Sequence, residues 1–407
     1  MSNAGVTIPQ SHPDNAQDMS AMTVPIYLDY AAATPMDPRV AAAMRPYFET
    51  QFYNPSAAYL AAKRVREDLE EGRHRIATVI GARQHEIIMT AGATESINLA
   101  IRGILNGAGG QVVTSPIEHP AVLQTVMQFD HVFTTVSAQG LVSAEAVETA
   151  LTPETTLVSI GYVNNELGTV QPLRAIADVI EAERQRRLAA GERRVLWFHT
   201  DASQAVGLLD SAVSRLGVDL MTMNAGKCYG PKQTGVLWVR GGIELIPVVY
   251  GGGQESGLRS GTENVAGVIG AATAFEIAQV ERKTDVARIR RLRDRLQQLI
   301  MQSIPDVIIN GHPKKRSPHI LHISVPGLDG ERGVFALDER GVMAATGSAC
   351  AANKGTRSHV LEAVGMTDSL ADGSLRFSLG KMSSEDEIDR AAAIITAVIT
   401  QERGYSS

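Results

Sequence analysis

The chain has 407 residues, of which 44% are hydrophobic and 20% are charged, and its formal net charge is −6. These values are ordinary for a soluble globular protein large enough to form two lobes. They argue against a general nucleic-acid or membrane-surface binder. The only cysteines, Cys228 and Cys350, belong to no CxxC motif or Cys/His cluster. We therefore predict no disulfide scaffold, no metal site and a cytoplasmic location.

Residues 1–22 are polar and lack the apolar core of a secretion signal, and we predict that they form a disordered tail. Beyond them, short apolar runs alternate with stretches of helical period such as RAIADVIEAERQRR. The runs are EIIMTA (86–91), QVVTS (111–115), TLVSIGYV (156–163), RVLWFHTD (194–201), DLMTMN (219–224) and GVLWVR (235–240). This alternation predicts an α/β fold with a three-layer, mostly parallel sheet.

The pattern changes near residue 280. In VARIRRLRDRLQQLI, the apolar residues Ile289, Leu292, Leu296 and Leu299 recur at steps of three and four. This spacing predicts a long amphipathic helix. We interpret the helix as the bridge into a second, smaller C-terminal domain.

Ligands of open α/β sheets bind beyond the carboxyl ends of the strands, so the residues that follow the strands are candidates for a site. After the first strand, Gly92, Ala93 and Thr94 form a small-residue turn that opens a helix, where free N–H groups suit a phosphate. A capped turn without a ligand is the alternative. Asp201 also follows an apolar run, where a carboxylate needs a partner. That partner is either a protonated ring nitrogen or the start of a helix.

Lys227, in MNAGKCYGPKQTG, follows the next strand. Alone, it is either a solvated loop charge or a nucleophilic amine. Together, a phosphate turn, a strand-end aspartate and a strand-end lysine are what pyridoxal 5′-phosphate (PLP) requires. The lysine forms a Schiff base, the aspartate keeps the pyridine nitrogen protonated, and the turn holds the phosphate. We therefore interpret Lys227 as a nucleophilic amine.

A series of motifs occurs in order along the chain: PIYLDYAAATPMDPRV, TAGATESINLAI, SPIEHPAV, VNNELGTVQP, DASQAVG, KCYGPKQTG, RSGTENV, GSAC and SLRFSLG. Together they resemble the cysteine desulfurases of the nitrogen-fixation and housekeeping iron–sulfur type, which are class V aminotransferase-like PLP enzymes of fold type I. The resemblance implies a large PLP-binding domain over 37–280. It also implies a small α/β domain, formed by 23–36 and 281–407, that carries a catalytic cysteine loop.

The resemblance implies that Lys227 forms the Schiff base and moves protons on the carbons of the substrate. Asp201 would pair with the pyridine nitrogen, and Gln204 would reach the ring hydroxyl. His119 would stack on the ring and take part in proton transfer. A buried structural role is the alternative for His119, which precedes a proline.

The same resemblance places Ala93, Thr94 and Asn224 on the phosphate of the cofactor. Thr262, in RSGT, would reach the phosphate bound by the neighbouring subunit, which implies a homodimer. Asn165 and Arg376 would hold the carboxylate of L-cysteine, Arg376 as a two-pronged fork. A surface salt bridge is the alternative for Arg376.

Cys350 lies in ATGSACAANKGTRSHVLEAVG, a stretch of small and polar residues between an apolar segment and a helix. A thiol on such a loop can approach a bound substrate and leave again. The alternative is a small buried hydrophobe, which is the fate we expect for Cys228. The resemblance implies that the Cys350 thiolate attacks the sulfur of cofactor-bound L-cysteine. The products would be L-alanine and a persulfide, whose sulfur passes to an iron–sulfur scaffold or thiolation protein.

Three positions depart from the family pattern. Family members have serine, any residue, histidine and then the lysine, whereas this chain has Asn224, Ala225 and Gly226 before Lys227. Asn224 retains a side-chain donor, but Gly226 offers only backbone. The loss of one charge-assisted contact to the phosphate costs about 1.5–3 kcal/mol. Tyr59 stands where the NPSSxH motif has histidine.

Two other hypotheses remain open. One is a selenocysteine lyase or another PLP-dependent β-lyase on the same scaffold, which would not need Cys350. The other is a dimeric scaffold that has lost its cofactor, for which Gly226 is the only support. The dependence of activity on Cys350 and the retention of bound PLP distinguish these hypotheses from a desulfurase.

Overall fold

The computed structural model describes residues 25–346 and 357–404. The predicted tail over 1–22 and Cys350 lie outside the described residues. The described helices are α1 (Pro38–Met44), α2 (Pro46–Glu49), α3 (Leu60–Ile80), α4 (Ala93–Ala108), α5 (Pro120–Val126), α6 (Ala144–Ala150), α7 (Leu173–Ala189), α8 (Val213–Leu216), α9 (Val265–Ser303), α10 (Gly330–Glu339), α11 (His359–Ala363), α12 (Asp368–Asp372) and α13 (Glu385–Gly404). Across these two ranges, no helix is both long and apolar enough to cross a bilayer.

The described strands are β1 (Ile26–Tyr27), β2 (Ile87–Thr90), β3 (Gln111–Thr114), β4 (His131–Phe133), β5 (Thr155–Ser159), β6 (Trp197–Asp201), β7 (Leu220–Asn224), β8 (Gly235–Val239), β9 (Ile308–Ile309), β10 (Ile320–Ser324), β11 (Val342–Met343), β12 (Ala345–Thr346) and β13 (Ser374–Ser378). Strands β2 to β8 form one sheet in the order β2-β8-β7-β6-β5-β3-β4. Strand β8 runs antiparallel to both of its neighbours, and the other pairs are parallel.

The prediction of a mostly parallel α/β sheet is confirmed, and all six predicted strands are present. Strand β4 was not predicted, because it is a three-residue edge strand that is not fully buried. Successive residues of a strand belong to different apolar clusters, as Leu220 and Met221 do in β7. Because successive side chains of a strand point to opposite faces, the two clusters lie on the two faces of the sheet, and helices cover both.

A third apolar cluster is built on a separate antiparallel sheet with the order β12-β13-β10-β9. Its members include Leu28 from the N-terminal segment, Leu296 from α9 and Phe377 from β13. The predicted amphipathic helix is present as the second half of α9. The helix begins at Val265, earlier than the sequence pattern indicated, and its first half lies in the cluster on the large sheet. The proposed boundaries of the two domains stay predictions.

Residues 26–34, which we call the strap, connect the two sheets near the ends of their strands. On one side, the backbone N–H of Leu28 donates to Met343 (2.8 Å), and the N–H of Ser378 donates to Leu28 (2.7 Å). On the other side, the Thr34 hydroxyl donates to the Gly226 carbonyl (3.1 Å). The strap therefore links the small antiparallel sheet to the turn that carries Lys227.

Gly380 provides a test of packing at this junction. A Cβ at Gly380 would lie 2.2 Å from the Tyr30 ring and 2.4 Å from the Tyr229 hydroxyl. We expect Gly380→Ala to lower the free energy of unfolding by about 1–3 kcal/mol in urea titrations, because both rings must shift. Gly333→Ala, in α10, is the control, since its Cβ would make only ordinary contacts at 3.7 Å. A fall of similar size in both variants would contradict the steric explanation.

Candidate active site

A cavity of about 1070 Å³ lies beyond the carboxyl ends of the parallel strands. Nine of the residues selected from the sequence line it: Ala93, Thr94, His119, Asn165, Asp201, Gln204, Asn224, Lys227 and Arg376. Thr262 is exposed and does not line the cavity of its own chain. Its predicted contact with a neighbouring subunit stays a prediction. Cys350 lies outside the described residues.

The turn after β2 offers backbone donors to the cavity. Gly92 has a φ of +123°, a conformation that side-chain-bearing residues rarely adopt, and α4 begins directly after it at Ala93. No side chain caps this 16-residue helix. The first N–H groups of a helix have no partner within it, and its N-terminus carries partial positive charge. The turn therefore has the chemistry of an anion cradle.

Asp201 ends β6 at the edge of the cavity. Its Oδ1 accepts hydrogen bonds from both the backbone N–H (2.9 Å) and the hydroxyl (2.6 Å) of Ser203. The carboxylate thus closes a local turn and starts no helix, so the start of a helix, the alternative considered from sequence, is wrong for Asp201, and its pairing with a ring nitrogen stays a prediction. Because both bonds use Oδ1, the second oxygen takes no part in that turn and leaves an acceptor for a ligand.

Lys227 lies in a one-turn 3-10 helix, Ala225–Lys227, that follows β7 directly. Asn224 starts this turn by accepting a hydrogen bond from the Gly226 N–H (3.0 Å) through Oδ1, which leaves its amide N–H₂ as a donor. The Lys227 ammonium donates to the carbonyls of Ala31 (2.7 Å) and Ala32 (2.6 Å) in the strap. The amine is therefore held at the wall of the cavity by two strap carbonyls.

His119 precedes α5, and its Nδ1 accepts a hydrogen bond from the Ala121 N–H (3.1 Å). The neutral ring therefore carries its proton on Nε2. Burial is the main cause that lowers the pKa of His119, with Lys227 adding to it and Asp201 opposing it. The imidazole is consequently neutral near pH 7.

Gln204 is oriented by groups on both sides of its amide. Its Nε2 donates to the Ala31 carbonyl (2.9 Å), and its Oε1 lies 3.4 Å from Nε2 of His319. Burial lowers the pKa of His319 to about 3, so this ring is neutral and one nitrogen can donate to Oε1. The Gln204 amide therefore has a defined orientation, with one N–H remaining for a ligand.

Arg376 lies on β13 and is only 3% exposed. One Nη donates to Asp29 Oδ1 (2.7 Å) and the other to the backbone carbonyl of Asn165 (3.0 Å). Its Nε is buried and has no hydrogen-bond partner among the described residues. A surface salt bridge, the alternative considered from sequence, is therefore wrong for Arg376.

Two buried carboxyl groups were not predicted from the sequence, although both lie inside its family motifs. Glu118 accepts hydrogen bonds from the Ser115 hydroxyl (2.6 Å) and the Gly161 N–H (2.9 Å), and Glu166 accepts one from the Ser358 hydroxyl. Burial raises the pKa of each to about 7. Asp201 raises that of Glu118 further, whereas Arg376 opposes the shift at Glu166. Both groups line the cavity.

Gly226 is not required by backbone strain or by lack of room. It is absent from the glycines with positive φ, and a Cβ there would make ordinary contacts at 3.4–3.5 Å with Asn224 and Lys232. Lys232 could bring a cation to this position, but its Nζ donates to the Thr34 carbonyl and it does not line the cavity. Cys228 is buried, as expected, and burial raises the pKa of its thiol to about 12.

Comparisons with known proteins agree on one family. The family model for aminotransferase class V matches residues 26–391. A cysteine desulfurase IscS of Dictyoglomus turgidum is 37% identical over 389 residues, which cover 94% of this chain and 96% of that protein. The chain belongs to the class V aminotransferase family, among its cysteine desulfurases.

Solved structures of the family have the same fold. A NifS-like protein is 31% identical with a TM-score of 0.86, and the match covers 93% of this chain and all of that one. SspA, solved in complex with cysteine, is 34% identical with a TM-score of 0.74, and the match covers 88% of this chain and all of SspA. Enzymes of this family use PLP. Across residues 25–346 and 357–404, no group of three or more His, Cys, Asp or Glu side chains is placed to hold a metal ion.

The two buried glutamates predict how stability depends on pH. Each has a pKa near 7 in the fold against an ordinary value of 4.5, so between these values the folded chain keeps protons that the unfolded chain releases. Their contribution to stability is complete below pH 4.5 and falls as the pH rises through 7. We expect the wild type to lose stability relative to Glu166→Gln between pH 5 and 8 in urea titrations.

Glu148→Gln, at an exposed glutamate, is the control and should differ from the wild type by an amount that does not change with pH. A difference between the wild type and Glu166→Gln that is equally independent of pH would show that Glu166 is ionised throughout this range.

Proposed function

We propose that this cysteine desulfurase binds PLP in the cavity and converts L-cysteine to L-alanine, with transfer of the sulfur to Cys350. The observation that carries the proposal is the convergence of an amine, a carboxylate, an imidazole and an uncapped helix N-terminus on one cavity. These groups come from four different elements. A structural role for each one separately does not account for their meeting.

The residues present fit the cofactor. The N-terminus of α4 at Ala93 and Thr94 and the amide of Asn224 would hold its phosphate. Asp201 would hold the pyridine nitrogen through the oxygen left over from its turn, and the remaining N–H of Gln204 would reach the ring hydroxyl. When bound, PLP supplies an electron sink that stabilises negative charge on the substrate carbon.

Lys227 and His119 are the groups placed to move protons. The Lys227 amine is the nucleophile that would hold the cofactor, and it donates hydrogen bonds to the backbone carbonyls of Ala31 and Ala32 at the wall of the cavity. Neutral His119 carries its single N–H proton on Nε2, so it can donate a hydrogen bond from that nitrogen, and it would release a proton only after gaining a second one.

Arg376 and Asn165, which line the same cavity, would bind the carboxylate of the substrate. The buried Nε of Arg376, which has no hydrogen-bond partner among the described residues, is a donor left for a ligand. Charge-assisted bonds from a buried guanidinium are strong and directional. L-cysteine as the substrate agrees with the relative SspA, which was solved in complex with cysteine.

The sulfur step balances without an external oxidant. The Cys350 thiol and L-cysteine are the reactants, and the C–S bond of L-cysteine breaks as an S–S bond to Cys350 forms. The products are L-alanine, which gains a proton at its β carbon, and a Cys350 persulfide. An iron–sulfur scaffold or a thiolation protein would then accept the sulfur in the cytoplasm. A homodimer would bring Thr262 of one chain to the phosphate bound by the other.

Cys350→Ser tests the reaction. We expect the wild type, with excess PLP and reductant, to release L-alanine from L-cysteine, and the serine variant to release at least a hundredfold less, because a hydroxyl is a far weaker nucleophile toward sulfur than a thiolate. Cys228→Ser is the control for the loss of a thiol outside the reaction. Equal alanine from the wild type and from Cys350→Ser would favour a lyase that does not use Cys350, and none from the wild type would refute the proposal.

Gly226→His tests the altered phosphate cup. There is room for a Cβ, so we expect the histidine to add a charge-assisted contact and to lower the dissociation constant of PLP by about tenfold or more. Absorbance titration of the cofactor-free protein with PLP measures this constant. Gly226→Ala should leave it close to the wild-type value. Affinity that is unchanged in the histidine variant would mean that position 226 does not face the phosphate.

A further inference from the structure

Within residues 25–346 and 357–404, Asp29 is the one carboxylate bonded to the buried guanidinium of Arg376. Its Oδ1 lies 2.7 Å from Nη2, and the side chains are 19% and 3% exposed respectively. An unpaired guanidinium is costly at such burial, so the ion pair keeps this cation inside the fold. Glu166 also influences Arg376 electrostatically, but its hydrogen bond comes from Ser358.

Asp29 contacts Arg376 from outside the cavity. Arg376 and Asn165 line the cavity, whereas Asp29 does not. The aspartate therefore does not occupy the position that a ligand would take. Its carboxylate accepts a hydrogen bond from Nη2, while Nε remains buried and without a partner among the described residues. A ligand with a carboxylate can reach Arg376 without displacing Asp29.

The backbone on both sides of Asp29 is fixed. The preceding residue, Leu28, is bonded to Met343 in β11 and to Ser378 on the small antiparallel sheet, and Tyr27 donates its hydroxyl to the Asp29 carbonyl (3.0 Å). Further along the strap, the backbone carbonyls of Ala31 and Ala32 accept hydrogen bonds from the Lys227 ammonium. The carboxylate of Asp29 thus has a defined position relative to both the lysine and the arginine.

We propose that Asp29 is a positioning residue that aims the Arg376 guanidinium and thereby selects amino acid substrates that carry an α-carboxylate. The proposal rests on the proposed function, in which Arg376 binds that carboxylate. An arginine with one Nη bonded to a carboxylate and the other to a backbone carbonyl has few orientations left. Loss of the aspartate frees the guanidinium to turn toward other acceptors, so the carboxylate of the substrate must then order it.

The test compares Asp29→Ala and Asp29→Asn in the PLP-loaded enzyme. We expect Asp29→Ala to raise KM for L-cysteine about tenfold, with a smaller change in kcat. Asp29→Asn should stay within about threefold of the wild type, because its amide oxygen still accepts from Nη2. Asp37→Ala, which removes a partly buried carboxylate that pairs with Arg39 and caps α1, is the control for loss of an aspartate near the strap.

Cysteamine, which lacks a carboxylate, separates positioning from a general structural role. Its dissociation constant, measured from the absorbance of bound PLP, should be the same in the wild type and in Asp29→Ala. In an Arg376→Lys background, Asp29→Ala should add no further increase in KM. Unchanged KM in Asp29→Ala, an equal loss of cysteamine binding, or an asparagine variant as impaired as the alanine variant would each overturn the proposal.

If Asp29→Ala does not fold, Asp29→Glu replaces it. The longer side chain keeps the charge but shifts the guanidinium, so KM for L-cysteine should still rise while the dissociation constant of cysteamine stays the same. An unchanged KM would overturn the proposal. Failure of the proposed function has a different signature, since KM would then be unchanged in Arg376→Lys itself. A rise in KM for Arg376→Lys without one in the Asp29 variants would refute only the role of Asp29.

Discussion

The hydrogen bonds of the strap are the constraint on which the candidate site depends. Within nine residues, the strap bonds to the small antiparallel sheet at Leu28 and to the Lys227 turn at Thr34. Between these points, its carbonyls at Ala31 and Ala32 hold the lysine. The amine and the guanidinium of Arg376 stand on different apolar clusters, so their separation is not set by either cluster alone. The strap fixes it through backbone bonds, which tolerate little stretching.

Much of the fold could be predicted from the sequence because the large sheet is buried on both faces. Strands of such sheets are continuous apolar runs, and all six runs that were selected became strands. The edge strand β4 gave no such signal, because its residues are only partly buried. Helix α9 showed its amphipathic period only after residue 280. Its first half is buried nearly all round, which removes the periodicity that reveals a helix.

The site residues that come at the end of a strand could be predicted from the sequence. Those whose position depends on tertiary contacts could be predicted much less well. Asp201 and Lys227 both follow apolar runs, and parallel strands bring such positions to one edge. Glu118 and Glu166 gave no comparable signal, because most glutamates are exposed and nothing in the sequence indicates that these two are buried. The partners of Arg376 and Gln204 come from distant parts of the chain, and no local pattern indicates them.

Helix α9 spans both apolar clusters without a break, and at 1.5 Å per residue its 39 residues make a rod of about 58 Å. Phe275 belongs to the cluster on the large sheet and Leu296 to the cluster on the small one. Insertion or deletion of one residue between them would rotate one half against the other by about 100°. The small sheet would then turn Arg376 away from Lys227. The number of residues between the two packed faces of α9 is therefore part of the active-site geometry, and we expect length changes there to be tolerated far less than substitutions.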